Sequence, residues 1–322
     1  MKLRFGILKK PVVKFGILPA AFVALVVFWE YIGAFWLHSL IRHGGCSWVS
    51  IASDSPRLSA SMRLALQGDT TAVPGACEWR EINPGFEVAE LPALVDGKEV
   101  DRILLARIDP ARYRFAAYND HTGSRGLTEW MHSLGAALVV NGSYYSHLGK
   151  PDTPFVSNGA PLGPREYDAK GGAFVASGAF TGVCDLSHTD WKSVFQGADN
   201  AMVSYPLLIS NGTPYSGKAS QWLATRSFVG QDAGGRIIIG TTKDGFFSLY
   251  RLAQFLHDAP LNLTEALNLD GGPVACQGIS LNGFERKSFG QWELQYSDGK
   301  GSLLVLPYGT SEMPIVLAVF PK

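Results

Sequence analysis

The chain has 322 residues, and its 28 lysines and arginines balance its 28 aspartates and glutamates. Hydrophobic residues make up 46% of the chain, which excludes a disordered protein, since disorder requires low hydrophobicity and high net charge. The zero balance argues against a nucleic-acid-binding protein, which usually carries a basic face, and no nucleic-acid partner is predicted.

The charges are unevenly distributed along the chain. Residues 1–45 contain six of the 28 basic side chains and one of the 28 acidic ones, Glu30. Subtraction leaves 22 basic and 27 acidic residues from Cys46 onward, a net charge of −5. A basic N-terminal segment, residues 1–45 (the basic head), therefore precedes a mildly acidic remainder of the chain (the body).

The N-terminal segment has the pattern of a membrane anchor. Residues 15–41 read FGILPAAFVALVVFWEYIGAFWLHSLI, and a bilayer-spanning helix needs about 20 apolar residues. Five of the six cations precede this stretch, so the positive-inside rule predicts a cytoplasmic basic tail at 1–14, a transmembrane signal anchor at 15–41 and an extracytoplasmic body. That body is periplasmic if the source is a Gram-negative bacterium.

Cleavage as a signal peptide is the alternative for the same segment. The apolar stretch exceeds the usual 7–15 residues of such a peptide, and no A-x-A-like site follows closely, which favours an uncleaved anchor. The four cysteines would then lie in an oxidising compartment, where either disulfides or free thiols remain open. They are Cys46, Cys77, Cys184 and Cys276.

The remaining chain is typical of a β-rich domain with a few helices. Residues 42–84 are predicted to form a linker with one short helix that ends at Gly68. Residues 85–322 are predicted to form the main domain. Its predicted helices begin at Thr128, as the N-cap of a helix ending at Gly135, and at Phe247. The predicted strands are 100–108, 112–118, 136–140, 171–177, 201–209, 224–229, 236–241, 263–269, 292–296, 302–307 and 314–320.

This pattern predicts an α+β fold with a large mixed or antiparallel sheet and a few packing helices, preceded by one N-terminal transmembrane helix. Polar motifs follow three of the apolar strands. They read VVNGSYY at 139–145, ATRSFVG at 224–230 and ALNLDGGP at 266–273. Glycine at such a junction allows close approach of the backbone to a ligand and leaves N–H groups to bind an anion.

The combination and order of these motifs resemble the phosphodiester glycosidase family. That family has an arginine, a second strand, an x-D-G segment, an amphipathic helix and then A-x-N-L-D-G-G. The corresponding positions are Arg226, Asp244-Gly245, the helix at 248–257 and residues 266–272. Residues 140–145 are similar to the family's N-G-G-F-F segment, and the resemblance extends over about residues 80–320. Residues 85–322 are therefore expected to form a phosphodiester glycosidase-like domain.

The resemblance implies hydrolysis of a sugar 1-phosphodiester or a related glycan, and the cell envelope or exported glycans are candidate sources of such a substrate. Asp270 is predicted to be the base or nucleophile, and Arg226 to bind phosphate oxygens, because guanidinium groups bind phosphate bidentately. The predicted substrate-binding residues are Asn141, Gly142, Tyr145, Asp244, Gly271 and Gly272. Where the family continues D-G-G-G-S, Pro273, Val274 and Ala275 follow Asp270-Gly271-Gly272 here, so the serine hydroxyl and its contact are missing.

Two other functions remain open at this stage. A glycan-binding module of envelope polysaccharide assembly would use the same pocket without forming a product, and a phosphodiesterase would cut the P–O bond instead of the C1–O bond. No cofactor and no metal site is predicted, although a single divalent cation held by Asp270 and backbone carbonyls stays open.

Overall fold

The computed structural model describes residues 22–27, 41–42, 46–67, 70–217, 222–297, 300–305 and 312–322. The first half of these residues contains twelve strands. They are β1 (Ile41–Arg42), β2 (Cys46–Ile51), β3 (Val73–Pro74), β4 (Arg80–Asn83), β5 (Phe86–Val95), β6 (Lys98–Ile108), β7 (Tyr113–Asn119), β8 (Leu138–Asn141), β9 (Phe155–Ser157), β10 (Ala160–Leu162), β11 (Gly172–Ala176) and β12 (Thr181–Asp185).

Twelve further strands follow in the second half. They are β13 (Asn200–Ser204), β14 (Leu207–Ser210), β15 (Thr213–Pro214), β16 (Trp222–Ala224), β17 (Ser227–Asp232), β18 (Ile237–Thr242), β19 (Leu263–Asn268), β20 (Gln277–Leu281), β21 (Phe284–Ser288), β22 (Glu293–Ser297), β23 (Lys300–Val305) and β24 (Ile315–Pro321). The helices are α1 (Ala60–Leu66), α2 (Leu127–Leu134), α3 (Trp191–Val194) and α4 (Leu249–Asp258), with a 3₁₀ turn at Gly272–Val274.

The strands form one large sheet and three smaller ones. The large sheet has nine strands in the order β15-β14-β19-β17-β18-β6-β5-β3, with β4 paired to β5. The five-stranded sheets have the orders β1-β2-β23-β22-β16, β10-β9-β13-β11-β12 and β21-β20-β8-β24-β7. The predicted α+β class with a large, mainly antiparallel sheet is confirmed for the described residues, since each described strand pair is antiparallel.

The nine-stranded sheet is covered on both faces, so a central strand such as β18 is buried at every position. In β6, Ile103 and Leu105 face one hydrophobic cluster, whereas Leu104 and Ala106 face another. The first cluster includes the apolar sides of α1 and α4, and the second includes β8 and β24 from a neighbouring sheet. Because β8 and β19 both contribute to the second cluster, this packing fixes the positions of their ends relative to each other.

The short helix α1 belongs to the core and not to an isolated connection. Its N-cap Ser59 accepts a hydrogen bond from the Met62 N–H, and Met62 and Ala65 are fully buried against the large sheet. Strand β2 pairs with β23 in an antiparallel register that matches Ile51 with Gly301. Segment 42–84, predicted as a linker with a short helix, thus contributes the predicted helix and also strands to the packed domain.

Several predicted elements are confirmed, and others differ at their ends. Helix α2 begins after Gly126, so Thr128 lies inside its first turn and is not the N-cap; Gly135 ends the helix in the left-handed conformation, as predicted. The predicted strand 201–209 is two strands, because Tyr205 and Pro206, joined by a cis peptide bond, separate β13 from β14. Eleven described strands were not predicted from the sequence: β1, β2, β3, β4, β5, β9, β10, β12, β15, β20 and β21.

Residues 224–229 are also interrupted. Strand β16 ends at Ala224, and β17 begins at Ser227 in a different sheet, so Arg226 lies at the crossing between the two sheets. Asn211 and Gly212, with φ of +49° and +73°, form the turn between the paired strands β14 and β15. Positive φ at both positions is the geometry that an Asn-Gly hairpin turn requires.

The predicted cytoplasmic tail at 1–14 lies outside the described residues, and so does most of the predicted anchor at 15–41. Residues 22–27 of that stretch are helical. Across the part of the chain that the structure describes, no helix combines the length and apolar character needed to cross a bilayer. Cys77, Cys184 and Cys276 are free thiols, and burial raises the pKa of each.

Candidate active site

The candidate site forms where the ends of β8 and β19 meet. Strand β8 ends at Asn141, and Asp270 follows β19 after one intervening residue. The Asp270 N–H donates to the Gly142 carbonyl at 3.0 Å, and Asn141 Nδ2 donates to the Asp270 carbonyl at 2.7 Å. Two strand ends from different sheets are thereby joined, and three of the predicted site residues become neighbours.

Arg226 lies beside this junction and is only 7% exposed. Its Nη2 donates to the Trp222 carbonyl at 2.8 Å, and its Nε donates to the Phe247 carbonyl at 3.4 Å. Its backbone N–H donates to Thr242 Oγ1 at 2.8 Å. Two of the guanidinium nitrogens are therefore engaged with the protein backbone, so Arg226 orders the surrounding loops as well as supplying positive charge.

Arg226 lies close enough to several acidic groups for their charges to affect its pKa. Burial lowers the pKa of Arg226, and the nearby acidic groups Tyr144, Glu293 and Asp270 oppose that shift. A buried guanidinium retains its charge because its ordinary pKa is above 12. The structure therefore brings Asp270 and Arg226 into one electrostatic cluster.

The two glycines after Asp270 are required by their neighbours. A Cβ atom added to Gly271 would lie 2.9 Å from Arg226 Nη1, and one added to Gly272 would lie 2.6 Å from Glu293 Oε2. Gly272 also has φ of +74°, a conformation that L-residues with a Cβ rarely adopt. The Asp-Gly-Gly sequence therefore permits close packing of one cation and one carboxylate against the backbone.

The glycine N–H groups, which were expected to bind an anion, already donate to acceptors within the protein. The N–H of Gly142 donates to the Ile315 carbonyl, that of Gly271 to Asp270 Oδ1, and that of Gly272 to the Thr225 carbonyl. The distances are 2.8, 2.9 and 2.8 Å. Gly142 is needed because a Cβ there would overlap the Ile315 side chain. These amides build the site's backbone, since each already has a partner.

A pair of stacked tyrosines borders the site on the Asp270 side. The rings of Tyr144 and Tyr205 are 4.4 Å apart between centroids and inclined by 26°. Tyr144 Oη donates to the Tyr205 carbonyl at 2.8 Å and accepts from Asn268 Nδ2 at 2.9 Å. Burial raises the pKa of Tyr144, and the negative charge of Asp270 adds to that shift. Sequence reasoning missed Tyr205 and Asn268, although Asn268 lies within the A-x-N-L-D-G-G motif.

Further acidic groups lie near Tyr205. Burial raises the pKa of Tyr205, and Tyr167, Asp270 and Asp152 raise it further. Tyr205 is 45% exposed, so part of its ring is available to a ligand. Asp152 and Tyr167 follow the predicted Tyr145 motif along the chain and border the same region.

A second carboxylate, missed by sequence reasoning, lies against Gly272. Glu293 begins β22 and is paired with Ala224 across the sheet. Its Oε1 accepts from the Trp222 indole Nε1 at 3.0 Å, and its Oε2 faces Gly272 as described above. Trp222 is 39% exposed. No motif in the sequence marks Glu293, because its position depends on strand pairing between segments about 70 residues apart.

Asp244 belongs to a structural turn next to the site. Its Oδ1 accepts from the Gly245 N–H at 2.8 Å, and its Oδ2 accepts from Ser61 Oγ at 3.2 Å. Its own N–H donates to Oδ1 of the buried Asp101 at 2.8 Å. The turn connects Thr242 to Phe247, and both residues contact Arg226. Asp244 thus supports the loop that positions Arg226.

Tyr145 is half-buried on the segment after β8. It forms an isolated antiparallel bridge with Pro151 and packs against the hydrophobic cluster that includes Val140 and Leu269. Among the described residues, no three His, Cys, Asp or Glu side chains are grouped closely enough to hold a metal ion. The arrangement therefore consists of two carboxylates, one buried guanidinium and exposed aromatic rings around a glycine pair.

Comparison with known proteins identifies a family with the same motifs. The family model described as phosphodiester glycosidase matches residues 134–276. This segment contains Asn141, Gly142, Arg226, Asp244 and the Asp270-Gly271-Gly272 sequence. The resemblance predicted from the motifs is therefore confirmed over these residues. No curated protein matches the chain.

Solved structures provide a likeness of fold. The catalytic domain of zebrafish N-acetylglucosamine-1-phosphodiester alpha-N-acetylglucosaminidase, auto-inhibited by its pro-peptide, superposes with a TM-score of 0.54 at 16% identity, covering 80% of this chain and 90% of that domain. A hypothetical protein from Synechocystis gives a TM-score of 0.49 at 13% identity, covering 88% of this chain and 75% of its own. At 16% identity the likeness to the zebrafish domain concerns the fold alone.

Proposed function

We propose that the protein hydrolyses the C1–O bond of sugar 1-phosphodiesters, with Asp270 as the base or nucleophile. The observation that carries this proposal is the fixed position of Asp270, which is held through its backbone by Asn141 and Gly142 beside the buried Arg226. The match of residues 134–276 to the phosphodiester glycosidase family supports the same reaction class.

The chemistry of the leaving group suits this site. When the C1–O bond of a sugar 1-phosphodiester breaks, the departing group is a phosphate monoester, whose second pKa is about 6. Such a group leaves with little protonation, so one carboxylate and a nearby positive charge suffice. Asp270 either activates the attacking water or attacks C1 itself, and Arg226 offsets negative charge that develops on the phosphate oxygens.

The sugar would contact polar and aromatic groups around Asp270. Asn141 Oδ1 and Asn268 Oδ1 are buried and accept no hydrogen bond from a described residue, so two amide oxygens near Asp270 lack a donor. The exposed part of the Tyr205 ring offers an apolar face on which the C–H face of a sugar ring packs. These groups support a ligand that presents hydroxyl groups and an apolar ring face, as a sugar does.

A substrate panel tests the proposal. Nitrophenyl phosphodiesters of glucose, galactose and N-acetylglucosamine are incubated with wild type, with Asp270→Asn and with Asp168→Asn. Asp168 is 79% exposed and pairs with Lys170 on the surface, so Asp168→Asn is a matched control. We expect hydrolysis by wild type and by the control, with a loss of at least about 100-fold in Asp270→Asn. Normal turnover by Asp270→Asn on each accepted substrate would contradict the proposed role.

Isotope labelling distinguishes the alternative reactions. In water enriched in oxygen-18, C1–O cleavage places the label in the sugar, whereas P–O cleavage places it in the phosphate. Label in the phosphate would establish a phosphodiesterase. If wild type binds oligosaccharides but hydrolyses no member of the panel, the protein is a glycan-binding module.

The location of the domain is a second part of the proposal. The basic head and the apolar stretch at 15–41 support anchoring of the full chain in a membrane with the active domain outside the cytoplasm. Protease treatment of intact spheroplasts tests this topology. We expect digestion of the domain without lysis, whereas protection until lysis would place it in the cytoplasm.

A further inference from the structure

Glu293, on β22, is a second carboxylate close to the Asp270-Gly271-Gly272 segment. Its Oε2 lies 2.6 Å from the position of a Cβ at Gly272, and it acts electrostatically on Arg226. Gly271 between the two positions is extended, with φ of −108° and ψ of −175°. The Cα atoms of residues 270 and 272 are therefore at most about 7 Å apart, so both carboxylates border one stretch of backbone.

Trp222 holds the Glu293 carboxylate in place. The indole N–H donates to Glu293 Oε1 at 3.0 Å, and the Trp222 carbonyl accepts from Arg226 Nη2 at 2.8 Å. The ring itself is 39% exposed. Trp222 thus offers an apolar face beside Glu293, as Tyr205 does beside Asp270. Each carboxylate thus has a partly exposed aromatic ring near it, and such rings offer apolar faces on which sugar rings pack.

A phosphate leaving group does not require this second carboxylate. A monoester with a second pKa of about 6 departs unprotonated, whereas an alcohol oxygen departs poorly, like hydroxide, whose conjugate acid has a pKa of about 15.7. Hydrolysis of an ordinary glycoside normally uses a pair of carboxyl groups, one of which protonates the leaving oxygen. Asp270 and Glu293 provide such a pair.

The charges around the site also favour a neutral glycoside as substrate. Asp270 and Glu293 surround one guanidinium, and two nitrogens of that guanidinium donate to backbone carbonyls. Asp152 acts electrostatically on Tyr205, on the Asp270 side. A neutral glycoside meets no net repulsion at such a site, whereas a phosphodiester brings a further negative charge to it.

We infer that Glu293 is the proton donor for the leaving group and that the substrates include glycosides with an alcohol leaving group. This inference rests on the proposed function, because it assigns Asp270 the same role. The C1–O bond breaks, the leaving oxygen takes the proton of the Glu293 carboxyl group, and a water oxygen bonds to C1 with the help of Asp270. The water proton reaches Asp270 and returns through solvent to Glu293, so one water is consumed per bond.

Leaving-group dependence tests this role. Methyl glycosides and methyl phosphodiesters of glucose, galactose and N-acetylglucosamine are compared in wild type, Glu293→Gln and Glu285→Gln. Glu285 is exposed on β21 and serves as the matched control. We expect Glu293→Gln to lose at least about 100-fold in kcat/KM on the methyl glycoside and at least about tenfold less than that on the phosphodiester, whose leaving group needs no proton. The alkaline limb of the pH profile for the methyl glycoside should disappear in the same variant.

The outcomes separate the two proposals. If wild type cleaves the phosphodiester and no methyl glycoside, the inference about Glu293 is overturned and the proposed function stands. If wild type cleaves neither, the proposed function itself fails. Equal losses on both substrates in Glu293→Gln would show that Glu293 only holds Arg226 and Trp222 in place.

A second variant covers the case in which Glu293→Gln does not fold. Trp222→Phe removes the indole donor and keeps the backbone carbonyl that accepts from Arg226. Because that donor favours the ionised carboxylate, its loss should move the alkaline limb for the methyl glycoside to higher pH. An unchanged limb in a folded Trp222→Phe protein would contradict the assignment of Glu293 as proton donor.

Discussion

The carboxylate of Glu293 occupies the space that a side chain at Gly272 would need. A Cβ at position 272 would lie 2.6 Å from Glu293 Oε2 and 3.1 Å from Glu293 Cβ. The second glycine of the Asp-Gly-Gly motif is therefore explained by a packing partner from a distant strand as well as by its φ of +74°.

Replacing Gly272 by alanine should lower the free energy of unfolding by more than the left-handed backbone conformation alone accounts for. We expect Gly272→Ala to lower the free energy of unfolding by about 2–4 kcal/mol, the sum of the left-handed conformation and the clash with Glu293. Gly283→Ala is the matched control, since Gly283 has φ of +77° and no atom within 4 Å of an added Cβ. That control should lose only about 1–2 kcal/mol.

Urea denaturation of the two variants measures the difference. Equal destabilisation would mean that Glu293 moves away at little cost, and the close contact would then not explain the glycine. A lower activity of Gly272→Ala in the folded protein would add evidence that the position of Glu293 matters for turnover.

Asn141 positions Asp270 through its backbone. Asn141→Asp replaces the Nδ2 donor with a carboxylate oxygen that faces the Asp270 carbonyl, and the residue is only 1% exposed. We expect a loss of about 1–3 kcal/mol in stability and a fall in kcat larger than any rise in KM. Asn119→Asp is the control, because Asn119 Nδ2 also donates to a carbonyl, that of Gly149 at 2.7 Å.

The control should be destabilised without a selective fall in kcat. If both variants, measured as folded protein, retain wild-type kcat, then the hydrogen bond from Asn141 does not set the position of Asp270. Thermal melting establishes the folded fraction before each kinetic measurement.

Asp101 gives the stability a specific dependence on pH. Burial raises the pKa of Asp101 to about 7, against the hydrogen bonds from the backbone N–H groups of Asp244, Arg102 and Phe246. The folded protein then keeps this proton to higher pH than the unfolded chain does, whose carboxyl has a pKa near 3.8. The stabilising contribution is complete below about pH 4 and is lost as the pH rises through about 7.

Asp101→Asn removes this titration. Between pH 4 and pH 8 we expect wild type to lose up to about 4 kcal/mol more unfolding free energy than the variant, as urea denaturation at each pH would measure. Parallel curves for the two proteins would contradict a raised pKa of Asp101. The comparison cancels the other titrating groups, since both proteins contain them.

The sequence predicted the strand ends of the site because local patterns encode them. Apolar runs followed by Asn141-Gly142 and Asp270-Gly271-Gly272 mark chain segments that stop at a sheet edge, and the structure joins them by direct hydrogen bonds. Strand β5 escaped prediction because Glu87 and Glu90 interrupt its apolar pattern. These acids pair with arginines of neighbouring strands, as in the 2.6 Å contact of Glu87 with Arg107.

Residues that depend on register between distant strands could not be predicted. Glu293 reaches the site because β22 pairs with β16 and aligns it with Ala224, and no local pattern specifies that alignment. The same limit applies to the glycine amides. Their acceptors, the carbonyls of Ile315 and Thr225, belong to segments that are distant in sequence. The motif alone therefore indicated free N–H donors, whereas the fold supplies an acceptor for each.

Arg226 should not tolerate lysine, although the charge is conserved. Its Nε and Nη2 donate to two different carbonyls, those of Phe247 and Trp222, and a single ammonium cannot replace both nitrogens of the planar fork. We expect Arg226→Lys to lose about 2–3 kcal/mol of unfolding free energy, because one buried carbonyl loses its donor. Arg63→Lys is the control, since Arg63 Nη1 alone makes the 2.9 Å bond to the Leu58 carbonyl and an ammonium can replace it; it should lose less than about 1 kcal/mol. Similar stabilities of the two variants would contradict the bridging role of Arg226, and full activity of Arg226→Lys would remove the guanidinium from the proposed reaction.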